Sequence, residues 1–197
     1  MKLNQGTTRK LAATFAVIGL VTLGATGCSS SEGPSVSASP SATPTPLTGA
    51  EAIAAFKSIA QASADQADKV GLIETTSNST YGDYILVLDR NYNPDYQAAV
   101  QNADGTYALI YESDAFAPAA ALSALDLGAT VEFANGLWSL TEIIEGTPTT
   151  YKYTVVDGLI ASESGSSGSD TWTSKLSYGM TADGHSIIDE ALKTLDN

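Results

Sequence analysis

The feature that most constrains this fold is a series of Asn-Gly and Asp-Gly pairs between segments of alternating polar and apolar residues. The pairs are Asn135-Gly136 and Asp157-Gly158, and Ala103-Asp104-Gly105 contains a third. Such pairs favour tight β-hairpin turns, because Gly adopts positive φ freely and Asn and Asp tolerate it. Strands joined by short hairpins must run antiparallel, so the sequence predicts an antiparallel meander.

Nine segments have the length and the β-branched or aromatic content of strands. They are Val70–Thr75, Tyr81–Leu88, Tyr96–Gln101, Thr106–Glu112, Ala129–Phe133, Leu137–Ile144, Thr150–Val156, Leu159–Ser164 and Thr171–Tyr178. The alternation is clearest in the last of them, where Trp172, Leu176 and Tyr178 share one face. These segments account for about half of the chain after residue 69.

Three segments are typical of helices. Residues 49–69 place Ile53, Phe56 and Ile59 on one face, with Thr48 as N-cap and Glu51 as its capping-box partner. Ala115–Leu125 predicts a short helix that crosses the sheet, and residues 185–197 predict a C-terminal helix or an edge segment. We therefore expect one α+β domain over residues 49–197, with an antiparallel sheet packed on the N-terminal helix and on one or two short helices.

The N-terminus has the organisation of an export signal. Lys2, Arg9 and Lys10 precede an uncharged apolar stretch over residues 11–23. A stretch of about a dozen residues is too short to span a bilayer, which needs about 20. The sequence therefore predicts a signal peptide over residues 1–27.

Cys28, the only cysteine of the chain, directly follows the predicted signal peptide. Residues 25–28, Ala-Thr-Gly-Cys, resemble a bacterial lipobox, although Ala25 stands where lipoproteins usually have Leu. The resemblance implies that Cys28 is diacylglycerated and becomes the first residue after cleavage, which would anchor the protein to the outer face of the cell membrane. An ordinary secretory signal with an incidental cysteine, or a free thiol, fits the position of Cys28 less well.

The segment that follows has the composition of a tether. Residues 29–48 are almost all Ser, Pro, Thr and Ala, with Glu32 as the one charge. Such a segment has too little apolar surface to offset its chain entropy, so we expect residues 28–48 to be a disordered linker between bilayer and domain.

The charge of the chain excludes some partners. Three of its 9 Lys+Arg lie in the predicted signal, and all 22 Asp+Glu follow it, which leaves a net charge of about −16 after cleavage. An acidic surface repels phosphate backbones and anionic headgroups. We therefore expect no nucleic-acid partner, and membrane attachment only through Cys28.

Motifs of catalysis and metal binding are scarce. His185, the one histidine, follows Asp-Gly and is interpreted as a surface turn residue. Residues 89–95 place Asp and Asn at EF-hand positions, but the loop has Pro94 where Gly is required and Val100 where Glu is required. An Asx-rich strand connection accounts for it better. We therefore expect that the protein is not an enzyme and that it binds no cofactor and no metal.

The order of lipobox, Ser/Pro/Thr tether, N-terminal helix and interrupted meander resembles actinobacterial lipoproteins related to the mycobacterial glycolipid carriers, and more distantly the lipoprotein-localisation carriers. The resemblance implies a curved, half-barrel-like antiparallel sheet, with an apolar or lipid-like ligand held between sheet and helices. Strand alternation indicates five candidate pocket residues, which are Ile110, Leu140, Tyr153, Trp172 and Leu176. The same five could equally fill a closed core, and an envelope interaction or scaffold protein without a small ligand stays open as the alternative.

Overall fold

The structure is a computed structural model that describes residues 45–93, 97–111 and 115–196. The described residues all belong to one compact unit, Ser41–Asn197. Its strands are β1 Leu47–Thr48, β2 Leu72–Asn78, β3 Gly82–Leu88, β4 Ala98–Gln101, β5 Tyr107–Ile110, β6 Thr130–Ala134, β7 Leu137–Ile144, β8 Thr147–Val156, β9 Leu159–Ser167 and β10 Asp170–Tyr178. Its helices are α1 Gly49–Val70, α2 Ala117–Asp126 and α3 Ala182–Lys193, and a 3-10 turn follows at Thr194–Asp196.

The ten strands form one open sheet in the order β1-β6-β7-β8-β9-β10-β2-β3-β4-β5, with every pair antiparallel. The α+β class with a curved antiparallel sheet is thus confirmed. Asn135 and Asp157 have φ values of 54° and 52°, as the hairpin prediction requires. Glu145, at φ 50° before Gly146, makes a further turn of this kind that sequence analysis did not identify.

The tenth strand, β1, was not predicted. Leu47 and Thr48 belong to the expected tether, yet they pair with Phe133 and Glu132 of β6. Edge pairing uses only backbone groups, so side-chain composition gave no signal for it. Thr48 is the N-cap of α1 as predicted, but its side chain makes no capping hydrogen bond.

The helices lie on both faces of the sheet. Helices α1 and α2 cover the side that we call the inner face, where Phe56 of α1 packs on Trp138 and Tyr153 at ring distances of 5.5 and 5.0 Å. Helix α3 covers the opposite, outer face, where Ile187 and Ile188 join a second buried cluster with sheet residues such as Val87 and Ala99.

A β-bulge interrupts the pairing of β8 with β9. Val155 pairs with Ile160 but Thr154 pairs with Ser162, so Ala161 has no partner in β8. The Ile160 amide instead donates to the Ser63 hydroxyl of α1 over 2.9 Å, and the Tyr178 hydroxyl donates to the Ile160 carbonyl over 2.9 Å. The bulge reverses which side chains of β9 face inward before and after it.

Candidate functional site

A row of polar and aromatic side chains crosses the middle of the inner face. Residues that pair directly in an antiparallel sheet point to the same side. The register therefore places six residues in one row, which are Trp138, Tyr153, Glu163, Ser174, Thr76 and Tyr84. The row includes an acid, two aliphatic hydroxyls and two phenols on the face that also carries the main core, which makes it the most unusual feature of this sheet.

A second, shorter row lies beside the first. Tyr151 of β8 pairs with Gly165 of β9, and Gly165 pairs with Trp172 of β10. The Trp172 ring lies against Gly165, so close that a Cβ atom at Gly165 would be 2.0 Å from it. Trp172 also meets Tyr151 edge to face, with ring centres 5.5 Å apart. Gly165 thus lets the indole cross β9, and both rings remain partly exposed.

Glu163 joins the two rows. Its side chain is buried, and the Trp172 indole N–H donates to Glu163 Oε1 over 2.6 Å. Glu163 Oε2 is also buried and has no hydrogen-bond partner among the described residues. Burial raises the pKa of the Glu163 carboxyl, against the opposing effects of Trp172 and the Tyr153 hydroxyl. Glu163 is therefore an acceptor that this part of the chain only half satisfies.

Glu74 is the second buried acid of the inner face, and it lies two residues before Thr76 in β2. Its Oε2 accepts the backbone N–H of Ala117, the first residue of α2, over 3.0 Å. Phe116 at the N-cap of α2 has no side-chain acceptor. The Glu74 carboxylate, on the strand beneath the helix, supplies the missing capping acceptor. Burial raises the pKa of Glu74 to about 7, while the Ala117 amide and the Ser174 hydroxyl favour its ionised form.

Two further side-chain hydrogen bonds lie on the inner face of the sheet. The Ser174 and Thr76 hydroxyls are 2.9 Å apart in the buried row. The Tyr151 hydroxyl donates to Glu142 Oε1 over 2.8 Å. Burial is the main cause that raises the pKa of the Tyr151 hydroxyl, and the hydrogen bond to Glu142 raises it further. We use the name inner-face site for five residues, which are Glu142, Tyr151, Glu163, Gly165 and Trp172.

The structure brings only part of the predicted pocket together. Tyr153 and Trp172 lie beside Glu163, in the two rows just described. Leu140, Tyr153 and Leu176 are buried in the main core, against which the half-buried Ile110 packs near the far edge. The five lie on the inner face of the sheet, but strand alternation carries no information on whether they leave a cavity.

Two depressions occur elsewhere on the described surface. One, of about 150 Å³, opens between α1, α2 and the start of β2, with Leu72, Leu88 and Phe116 in its apolar wall. The other, of about 520 Å³, is an open groove beside β3 and the β4–β5 turn, and Tyr84 borders it. None of the five predicted pocket residues lines either depression. The first is smaller than typical ligand pockets of about 300–1,000 Å³.

Sequence reasoning missed Glu163 and Glu74 as site residues. In β9 the bulge at Ala161 turns both Ile160 and Glu163 inward, although strict alternation from Ile160 would place Glu163 outward. In β2, Glu74 alternates with apolar Ile73, and the sequence offers no means of choosing which of the two is buried. No sequence signal for the bulge was available, because Ser63, which binds it, lies 97 residues away.

His185 differs from its prediction. It lies within α3, not in a turn, and its Nε2 is 3.0 Å from Asp89 Oδ2. The Tyr92 ring stacks on the His185 ring at 4.1 Å, and the Tyr92 hydroxyl donates to Asp189. Asp89 Oδ1 also accepts the amide of Asn91, in agreement with an Asx-rich connection after β3. These contacts fasten the β3–β4 connection to α3.

Other predictions concern membrane and metal. Cys28 and the signal peptide lie outside the described residues, so their roles remain predictions. None of the helices in the described part has the length and hydropathy of a membrane span. The described ranges also contain no group of three or more His, Cys, Asp or Glu side chains placed to hold a metal ion.

Comparison with known proteins adds no assignment. No protein-family model matches the chain, and no curated protein is significantly similar to it.

Proposed function

We propose that this protein is an exported lipoprotein, anchored through Cys28 to the outer face of the cell membrane, whose domain binds an apolar or lipid-like ligand. The lipobox-like sequence and the apolar stretch before it support the anchor. A diacylated cysteine holds a protein durably at a bilayer, whereas a single acyl chain holds it only marginally. The tether would then allow the domain to reach ligands at or near the membrane surface.

The observation that carries the binding function is the inner-face site. Trp172 and Tyr151 are partly exposed on a face where Phe56 of α1 packs on the buried rings of Trp138 and Tyr153. Their rings offer apolar area, and Glu163 beside them offers an unsatisfied acceptor. Apolar walls with a few convergent polar groups are the usual composition of a ligand site. The ligand would lie on this open part of the face, because the five predicted residues surround no described depression.

Two measurements test the proposal. For the anchor, we expect Cys28→Ser to move the protein from the membrane fraction to the soluble fraction, while the natural chain incorporates a labelled fatty acid. For the ligand, native mass spectrometry of protein purified from a bacterial host that processes lipoproteins should detect a bound mass. We expect that mass to disappear in Trp172→Ala and to persist in Lys175→Ala, because Lys175 is on the outer side of the same strand. Ligand-free natural protein would contradict the binding function.

A second candidate, an envelope interaction protein with a filled core, is favoured by the β7–β8 hairpin. Ile143 and Ile144 precede its turn and are 65% and 44% exposed. Adjacent exposed apolar side chains at a hairpin end are typical of contact surfaces. Under this function, Ile143→Ser with Ile144→Ser would abolish cross-linking to an envelope protein, and Trp172→Ala would leave it unchanged.

A further inference from the structure

Within the described part of the chain, the carboxyl group of Glu163 forms no ion pair with a basic side chain. The ion pairs of the described residues are Lys57–Asp126, Arg90–Asp68, His185–Asp89 and Lys193–Glu190, and none of them includes Glu163 or Glu74. Lys152 and Lys175 belong to the same strands as the site, but both are exposed, and they alternate with its inward side chains. Both of these lysines therefore point away from the acid.

The groups that act electrostatically on one another around Glu163 are acids and phenols. Glu163 disfavours ionisation of Glu74 and of the Tyr84, Tyr151 and Tyr153 hydroxyls. A neutral donor from a ligand would satisfy the hydrogen-bonding capacity of Glu163 Oε2, but it would leave the charge of the ionised carboxylate uncompensated. A cationic group would compensate that charge, which favours the ionised form of a buried acid, and a protonated amine would in addition donate a hydrogen bond to Oε2.

The partly exposed rings of the site suit the same ligand chemistry. The negative face of an aromatic ring attracts ammonium groups, and Trp is the strongest of the three aromatic residues in this respect. Trp172 is held against Glu163 by its indole N–H, with Tyr151 in edge contact and Glu142 bonded to the Tyr151 hydroxyl. The acidic surface of the whole protein would add long-range attraction for cations.

We propose that the inner-face site binds the cationic head of its ligand, a protonated amine or quaternary ammonium group, with Glu163 as counter-ion and with Trp172 and Tyr151 against the ligand. The ligand class is thus a cationic amphiphile. The inference rests on the proposed binding function, to which it adds the charge of the ligand and the residue that selects it.

The test uses three probes with the same alkyl chain, which are octyltrimethylammonium, octan-1-ol and octyl sulfate, each at submicellar concentration. Binding to the purified full chain is followed by calorimetry. We expect octyltrimethylammonium to bind about tenfold more tightly than octan-1-ol, which is the scale of a cation–π contact with a partly desolvated ion pair. Octyl sulfate should bind more weakly than either.

Variants then assign the effect to the site. Glu163→Gln should lower the affinity for octyltrimethylammonium about tenfold and leave that for octan-1-ol nearly unchanged. Glu132→Gln removes an exposed acid on the distant strand β6, and it should change neither affinity. Circular dichroism reports whether each variant is folded, and the comparison of the three probes on the natural chain does not depend on any variant.

The outcomes separate the inference from the function on which it rests. If octan-1-ol binds as tightly as octyltrimethylammonium and Trp172→Ala weakens both, the binding function stands and the cationic head is refuted. If Glu163→Gln and Glu132→Gln weaken cation binding equally, general attraction by the acidic surface explains it and Glu163 is not the counter-ion. If none of the probes binds, the proposed function itself is refuted.

Discussion

Replacement of Glu74 by Gln tests the energetic cost of a buried acid in this sheet. Glu74 is 4% exposed and belongs to no ion pair of the described residues. Its Oε2 accepts the Ala117 amide at the start of α2. A Gln side chain keeps an acceptor of similar size and removes the titration. The variant thus isolates the charge from the capping bond.

The expected magnitude follows from the pKa of Glu74, which burial raises from 4.5 to about 7 in the folded protein. At about 1.36 kcal/mol per pKa unit, this difference corresponds to about 3 kcal/mol of unfolding free energy. Because the folded-state pKa is the higher one, the contribution is fully present below pH 4.5 and is lost as the pH rises through about 7. Glu163 acts in the same direction, since burial also raises its pKa.

The assay is urea unfolding of the natural chain and of Glu74→Gln, followed by circular dichroism between about pH 4 and about pH 8. We expect the stability of the variant relative to the natural chain to increase by about 3 kcal/mol over this range. Asp157→Asn, at an exposed turn where φ is 52°, is the matched control and should show no such trend. A pH-independent difference between Glu74→Gln and the natural chain would refute the reasoning.

Three further predictions concern the contacts that hold the site in place. Phe56→Ala removes a fully buried ring from Trp138 and Tyr153 and should cost about 3–5 kcal/mol in urea unfolding, whereas a loss below 1 kcal/mol would contradict this packing. Ser63→Ala leaves the buried Ile160 amide without its acceptor and should cost about 1–3 kcal/mol, with increased hydrogen exchange at that amide. Gly165→Ala places a Cβ atom 2.0 Å from the Trp172 ring, so the near-ultraviolet circular dichroism of the indole should change, and an unchanged spectrum would mean that the ring lies elsewhere.

Much of the fold follows from local sequence patterns. The Asn135-Gly136 and Asp157-Gly158 turns need positive φ, and short turns between alternating segments admit few arrangements other than antiparallel neighbours. Strand β7 has the predicted bounds, and the three helices occupy the predicted regions. The two-residue strand β1 escaped prediction because its pairing depends on the backbone of β6, which sequence composition does not describe.

The candidate site likewise depends partly on local sequence patterns and partly on the tertiary structure. The sequence alone determined the alternation that puts Trp172, Leu176 and Tyr178 on one face of their strand, and it contains the lipobox-like segment that predicts the anchor at Cys28. Only the tertiary structure decided that Glu163 points inward. That orientation depends on the bulge at Ala161, where Ser63 and Tyr178 bind the backbone of Ile160. Alternation is a local property with period two, whereas a bulge that shifts its phase is stabilised by residues distant in the chain.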